Sequence, residues 1–170
     1  MKRRSFLALA GTVTAITLYE KGAPASASGK PSPKPAASGK PTAPGHAAVI
    51  AIKYALAQRG HPYVWGGDGP GFDCSGLCYM AYQSAGVSIP RTSQDQWAQL
   101  THIRKSQLQP GDLIFYAGSD GTVTSPGHVV MYIGHGNVIQ AFATGYPVMI
   151  TPLKKVDAGD LTGYARPVAA

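Results

Sequence analysis

His128-Val-Val-Met-Tyr-Ile-Gly134, His135-Gly136 and Asn137-Val-Ile-Gln-Ala-Phe142 form the stretch on which the fold turns. Two runs rich in β-branched residues flank a glycine-bounded histidine, the pattern of an antiparallel hairpin. With a three-residue turn over 134–136, Ile133 faces Asn137 and His128 faces Phe142. Gln140 then shares a face with His128, one diagonal away. A slip of one residue would carry it to the other face. Period-two patterning continues outside the hairpin, over Asp112–Ala117 and, more weakly, over Val148–Thr151 and Leu161–Arg166.

Toward the N-terminus the period lengthens. Val49, Ile52 and Leu56 fall at helical spacing within Ala47–Gln58, and Gly60 and Pro62 stop that run. A glycine-rich turn over 66–71 precedes a second helix, Cys74–Ala85, closed by Gly86. Thr92-Ser-Gln-Asp95 has the form of a capping box for a short third helix. Helices first and paired strands after predict an α+β domain, with N-terminal helices packed on a central antiparallel sheet.

The 170 residues divide unevenly. Lys2-Arg-Arg precedes a mostly apolar run over 5–18, followed by the small-residue sites Ala23-Pro-Ala and Ala25-Ser-Ala. This is the form of an export signal over 1–27, and Arg3-Arg4-Ser-Phe-Leu resembles the twin-arginine type. Residues 28–45 repeat Ser-Gly-Lys-Pro and contain no aromatic residue and no Ile, Leu or Val, so they are expected to form an extended linker without a core. The domain occupies 46–170. The net charge of +7 is concentrated ahead of it: the leader and the linker each contribute +3, and the domain keeps +1 from eight basic and seven acidic residues. A nearly neutral domain argues against a nucleic-acid partner. With the leader removed, no stable membrane association is expected, and the working unit is read as a monomer.

Asp73-Cys74-Ser75-Gly76-Leu77 stands where a glycine-rich turn meets a helix. A thiol there is favoured as thiolate by the helix dipole and the free N–H groups, which also suit an oxyanion. The competing reading is that Cys74 is a small buried apolar residue. His128 opens an apolar strand and therefore sits at the rim of the sheet. It is a candidate base, or alternatively a surface histidine. Gln140 is the candidate to orient the imidazole through its side-chain carbonyl. Cys78 lies one helical turn beyond Cys74. A disulfide between them would need unusual geometry and would consume the nucleophile, so Cys78 is read as core. His46, His61, His102 and His135 have no metal-ligand spacing with the cysteines, so no metal or other cofactor is expected.

Five blocks then occur in order: Pro62-Tyr-Val-Trp-Gly-Gly67, Phe72-Asp-Cys-Ser-Gly-Leu77, Pro90-Arg-Thr-Ser93, Gln109-Pro-Gly-Asp-Leu-Ile-Phe115 and Gly127-His-Val-Val-Met-Tyr-Ile-Gly134. Together they resemble the NlpC/P60 family of papain-like cysteine peptidases, across nearly all of 46–170. The resemblance implies Cys74 as nucleophile, His128 as base and Gln140 as orienting group, at a position where histidine is common. It implies a Tyr63 hydroxyl near the thiol, and Asp73, Ser75 and Arg91 as substrate-binding residues. Asp73 and Arg91 have the alternative of a structural ion pair; Trp65 is read first as packing the turn and otherwise as a wall of the cleft. The implied substrate is the stem peptide of bacterial peptidoglycan, cut between D-glutamate and a diamino acid on the outer, cell-wall side of the membrane. The alternatives are an amidase or acyltransferase on the same fold, and a wall-binding module with weak or no catalysis.

Overall fold

The computed structural model describes residues 45–167, so the expected leader and all but the last residue of the expected linker lie outside it. The chain begins with α1, His46–Ala57, which buries Ala51 and Ala55 against α2, Cys74–Ser84. In α2 the buried residues Leu77, Cys78, Ala81 and Tyr82 form the inner face. The third helix, α3, covers Ser93–Gln99. Thr92 caps it as the sequence predicts, accepting the Asp95 N–H at 3.2 Å and donating its own hydroxyl to the Asp95 carboxylate at 2.7 Å.

Six strands follow: β1 Thr101–Ile103, β2 Leu113–Tyr116, β3 His128–Gly134, β4 Asn137–Gln140, β5 Met149–Pro152 and β6 Leu161–Arg166. They make one sheet in the order β1-β6-β2-β3-β4-β5, with every neighbouring pair antiparallel. Strand alternation sorts the side chains by face. Leu113, Phe115, Val129, Met131, Ile139 and Ala165 join the helices in the main core. Ile114, Tyr116, Val130 and Val138 form a second apolar cluster. Each fully buried aliphatic or aromatic side chain in these layers contributes about 1.5–3 kcal/mol relative to exposure.

The hairpin keeps the expected register through most of its length, with Met131 opposite Ile139 and Tyr132 opposite Val138. Its turn is tighter than a three-residue loop: Gly134 pairs with Asn137 and the register shifts between Tyr132 and Gly134. His135 and Gly136 both take positive φ, 53° and 71°, as a two-residue hairpin turn of the right twist requires. β4 also ends two residues sooner than its apolar run suggests.

One strand escapes the sequence reading. β1 is three residues long and pairs only with β6, Thr101 opposite Arg166. β6 is pinned to the start of β2 through Asp112, which is 2% exposed and receives two hydrogen bonds from the Arg166 guanidinium, at 2.7 and 2.8 Å. The Gln109 N–H adds a third, at 2.6 Å. No described helix is long and apolar enough to cross a membrane.

Candidate active site

The site is assembled around the first turn of α2. Asp73 is its N-cap and accepts the Gly76 N–H at 2.6 Å. Arg91 grips the same carboxylate with both ends of its guanidinium, at 2.9 and 2.8 Å, and donates to Ser75 Oγ at 3.1 Å and to the Gly67 carbonyl at 3.0 Å. The side chains are 13% and 30% exposed, and the ion pair ties the glycine-rich turn to the helix that carries Cys74. Gly76 is required by this crowding. A Cβ there would come within 2.1 Å of the Gly67 carbonyl oxygen and 2.9 Å of the Arg91 guanidinium. Asp73, Ser75 and Arg91, taken in the sequence as substrate-binding, are therefore engaged first with one another, although all three also line the cleft.

Cys74 is 7% exposed, and Cys78, one turn on, is buried; both are free thiols. The sulfur lies against the start of β3. It approaches the Gly127 carbonyl at 3.7 Å, and the backbone N–H groups of Val129 and Ser75 point to it. Gly127 and Val129 flank His128, so the thiol sits beside that ring's own stretch of backbone. A side chain at position 127 would clash, since its Cβ would lie 2.6 Å from an Asp120 carboxylate oxygen.

His128 is 5% exposed. Its Nε2 lies 3.0 Å from Gln140 Oε1, and its ring meets Phe142 edge-on at 5.9 Å. The register of the hairpin thus brings Gln140 to His128, one diagonal apart. Gln140 in turn donates through Nε2 to Thr151 Oγ1 on β5, at 2.9 Å.

The cleft has two lobes meeting at Cys74, one of about 450 Å³ and one of about 330 Å³. Tyr63, Trp65, Asp120 and Gly127 line both. His128, Phe142 and Asp157 belong to the larger lobe, and Asp73, Ser75 and Arg91 to the smaller. Trp65 is 73% exposed, so it walls the cleft and does not pack the turn.

Burial governs the electrostatics. It pushes the Cys74 thiol up to about 11, with the negative charges of Asp73 and Asp120 adding to the effect. The two N–H groups at the sulfur work in the opposite direction and are outweighed. Burial thus outweighs the helix N-terminus that, read from the sequence, favours the thiolate. Burial lowers the pKa of His128, partly offset by Gln140 and Asp120. At neutral pH the resting pair is thiol and neutral imidazole. Tyr63 is raised to about 12 by burial and then by its anionic neighbours, so its hydroxyl remains a hydrogen-bond donor.

Among the described residues, no group of three His, Cys, Asp or Glu side chains converges to hold a metal ion. Asp120 and Thr151 were not singled out in the sequence. Neither belongs to a motif, and only strand pairing and loop geometry bring them to the site.

The chain is similar to known proteins over this same region. A probable endopeptidase of Corynebacterium glutamicum is 45% identical over 116 residues, which cover 67% of this chain and 51% of that protein. The peptidoglycan endopeptidase RipB of Mycobacterium tuberculosis is 37% identical over 118 residues, 61% of this chain and 47% of RipB. This chain thus spans about half the length of the curated relatives it matches. The crystal structure of an NlpC/P60 family protein from Bacillus cereus superposes with a TM-score of 0.65 at 38% identity, covering 74% of this chain and 41% of that one. Residues 60–161, more than half of the sequence and including Cys74, His128 and Gln140, match the NlpC/P60 family, and the chain belongs to it.

Proposed function

We propose that the protein is a secreted cysteine endopeptidase that hydrolyses stem peptides of bacterial peptidoglycan, at the bond between D-glutamate and the following diamino acid. The observation that carries this reading is the buried Cys74 thiol held between the two peptide groups that flank a histidine, with a glutamine on that histidine's Nε2. The names of its relatives as endopeptidases support the reaction class.

The chemistry follows from the neutral resting pair. With Nε2 engaged by Gln140, Nδ1 is the nitrogen left to receive the Cys74 proton. As the proton leaves, Sγ attacks the scissile carbonyl carbon, and N–H groups of the first turn of α2 stabilise the oxyanion. The C–N bond breaks, and the imidazolium returns its proton to the departing amine. Water then gives a proton to His128 and adds to the thioester carbon. The C–S bond breaks, the acid is released and the thiol is restored. Gln140 accepts the Nε2 proton throughout and stabilises the imidazolium, but carries no charge. Trp65 and Tyr63 wall the path of the peptide on both sides of the sulfur. The basic, apolar and small-residue order of residues 1–27 supports export to the wall side, with 28–45 as a spacer.

The test is digestion of defined muropeptides by the full chain, read by mass spectrometry, with Cys74→Ala as control. Cleavage after D-glutamate by the parent alone is the expected result. Cleavage elsewhere would keep the enzyme and replace the bond. A reactive Cys74 without any cleavage would point to another acyl substrate, as in an amidase or acyltransferase. An inert Cys74 would favour a wall-binding module.

A further inference from the structure

The amide of Gln140 is 3% exposed and has two ends of nearly equal shape and opposite polarity. Only one orientation suits the reaction. With Oε1 toward the ring, the amide accepts the proton on His128 Nε2. In the reverse orientation an NH2 group would face that nitrogen. The ring proton would then have to move to Nδ1, the side needed by Cys74, and an imidazolium would face a donor.

Something must therefore hold the amide, and its far end is bonded to one group. Gln140 Nε2 donates to Thr151 Oγ1 at 2.9 Å. Thr151 pairs with Val138 and Gln140 with Met149, so the hydroxyl reaches the amide across one diagonal of the β4–β5 pair. β5 is the outermost strand on that side of the sheet.

We infer that Thr151 is a positioning residue. Its hydroxyl accepts from Nε2 of the Gln140 amide and keeps that amide's carbonyl within reach of His128, so that the proton on the ring's Nε2 has its acceptor and Nδ1 is left to Cys74. The inference rests on the reading of Cys74, His128 and Gln140 as the catalytic groups. Valine at 151 preserves size and strand preference but removes the acceptor. The buried NH2 is then unpaired, and the amide rotates or withdraws to find another partner. Serine keeps the hydroxyl.

Two measurements on the full chain test this. The first needs no substrate: ¹⁵N shifts of the His128 ring report which nitrogen carries the proton. The parent and Thr151→Ser should show the Nε2–H form, and Thr151→Val a mixture of the two tautomers. A pure Nε2–H form in Thr151→Val would overturn the inference whatever the activity. The second is stem-peptide hydrolysis. Thr151→Val should lower kcat roughly three- to tenfold with KM unchanged, the size of one lost hydrogen bond. Gln140 raises the pKa of His128, so its withdrawal should also move the acid limb of the pH profile to lower pH. The other titratable groups of that lobe, Cys74, Tyr63, Asp120 and Asp157, are left in place. In a Gln140→Ala background, Thr151→Val should cost less than a further twofold, because there is no amide left to position. A full additional loss there, or equal losses for valine and serine, would mark Thr151 as merely structural. If the parent cuts no stem peptide while the tautomers behave as expected, the catalytic assignment fails and the positioning stands.

Discussion

Replacing Arg91 with alanine removes four hydrogen bonds at once: two to Asp73, one to Ser75 Oγ and one to the Gly67 carbonyl. The Asp73 carboxylate keeps the Gly76 N–H and the Ser75 hydroxyl but loses its counter-charge. Breaking a fully buried pair from one side costs about 3–5 kcal/mol, and a surface pair is worth about 1 kcal/mol or less. With side chains 13% and 30% exposed, this pair lies between those limits, and solvent screening places Arg91→Ala at about 2–3 kcal/mol. For a domain of this size that is a fall in Tm of roughly 6–12 °C. Lysine should recover only part of it, since one ammonium cannot reach both carboxylate oxygens and the Gly67 carbonyl together. Urea and thermal melts of parent, alanine and lysine variants measure the loss, and muropeptide kinetics at a temperature where all three are folded separate stability from function. The argument is refuted if Arg91→Ala melts with the parent while KM rises tenfold or more. Arg91 would then be spending its charge on substrate and not on the turn.

Two further variants probe the cleft. Asp120 raises the pKa of both Cys74 and His128, so Asp120→Asn should shift both limbs of the pH–activity profile to lower pH and lower the midpoint of Cys74 alkylation by iodoacetamide from about 11; a midpoint that stays or rises would show that this charge does not reach the sulfur. Trp65→Ala should leave stability within about 0.5 kcal/mol of the parent, as suits an exposed residue. It should raise KM roughly two- to tenfold through lost contact with substrate, and a large fall in Tm with unchanged KM would return Trp65 to the packing role.

The parts of the molecule that could be read from sequence are those fixed by local chemistry or strict alternation. Thr92 and Asp95 lie three residues apart, and the cap of α3 follows from that spacing alone. The face shared by His128 and Gln140 was legible because a buried hairpin tolerates no slip, even though the turn proved one residue tighter than supposed. Three residues show no period, and the partner of Thr101 lies far along the chain at Arg166, which is why β1 could not be read. The balance of effects on the Cys74 thiol is hidden from the sequence for a related reason. Helix position is visible in a sequence, whereas the burial that overrides it depends on β3 closing over the sulfur. Trp65 shares a block with Tyr63, but nothing in the block says which of the two the surface leaves uncovered.

The sheet order has a consequence in time. β6 lies between β1 and β2, and its Arg166 completes the ring of bonds around Asp112. During synthesis Cys74, His128 and Gln140 all emerge before Leu161–Arg166 does. Until that last strand arrives, β1 has no neighbour and β2 lacks one of its two. A growing chain therefore holds Cys74, His128 and Gln140 before it has a finished sheet to aim them.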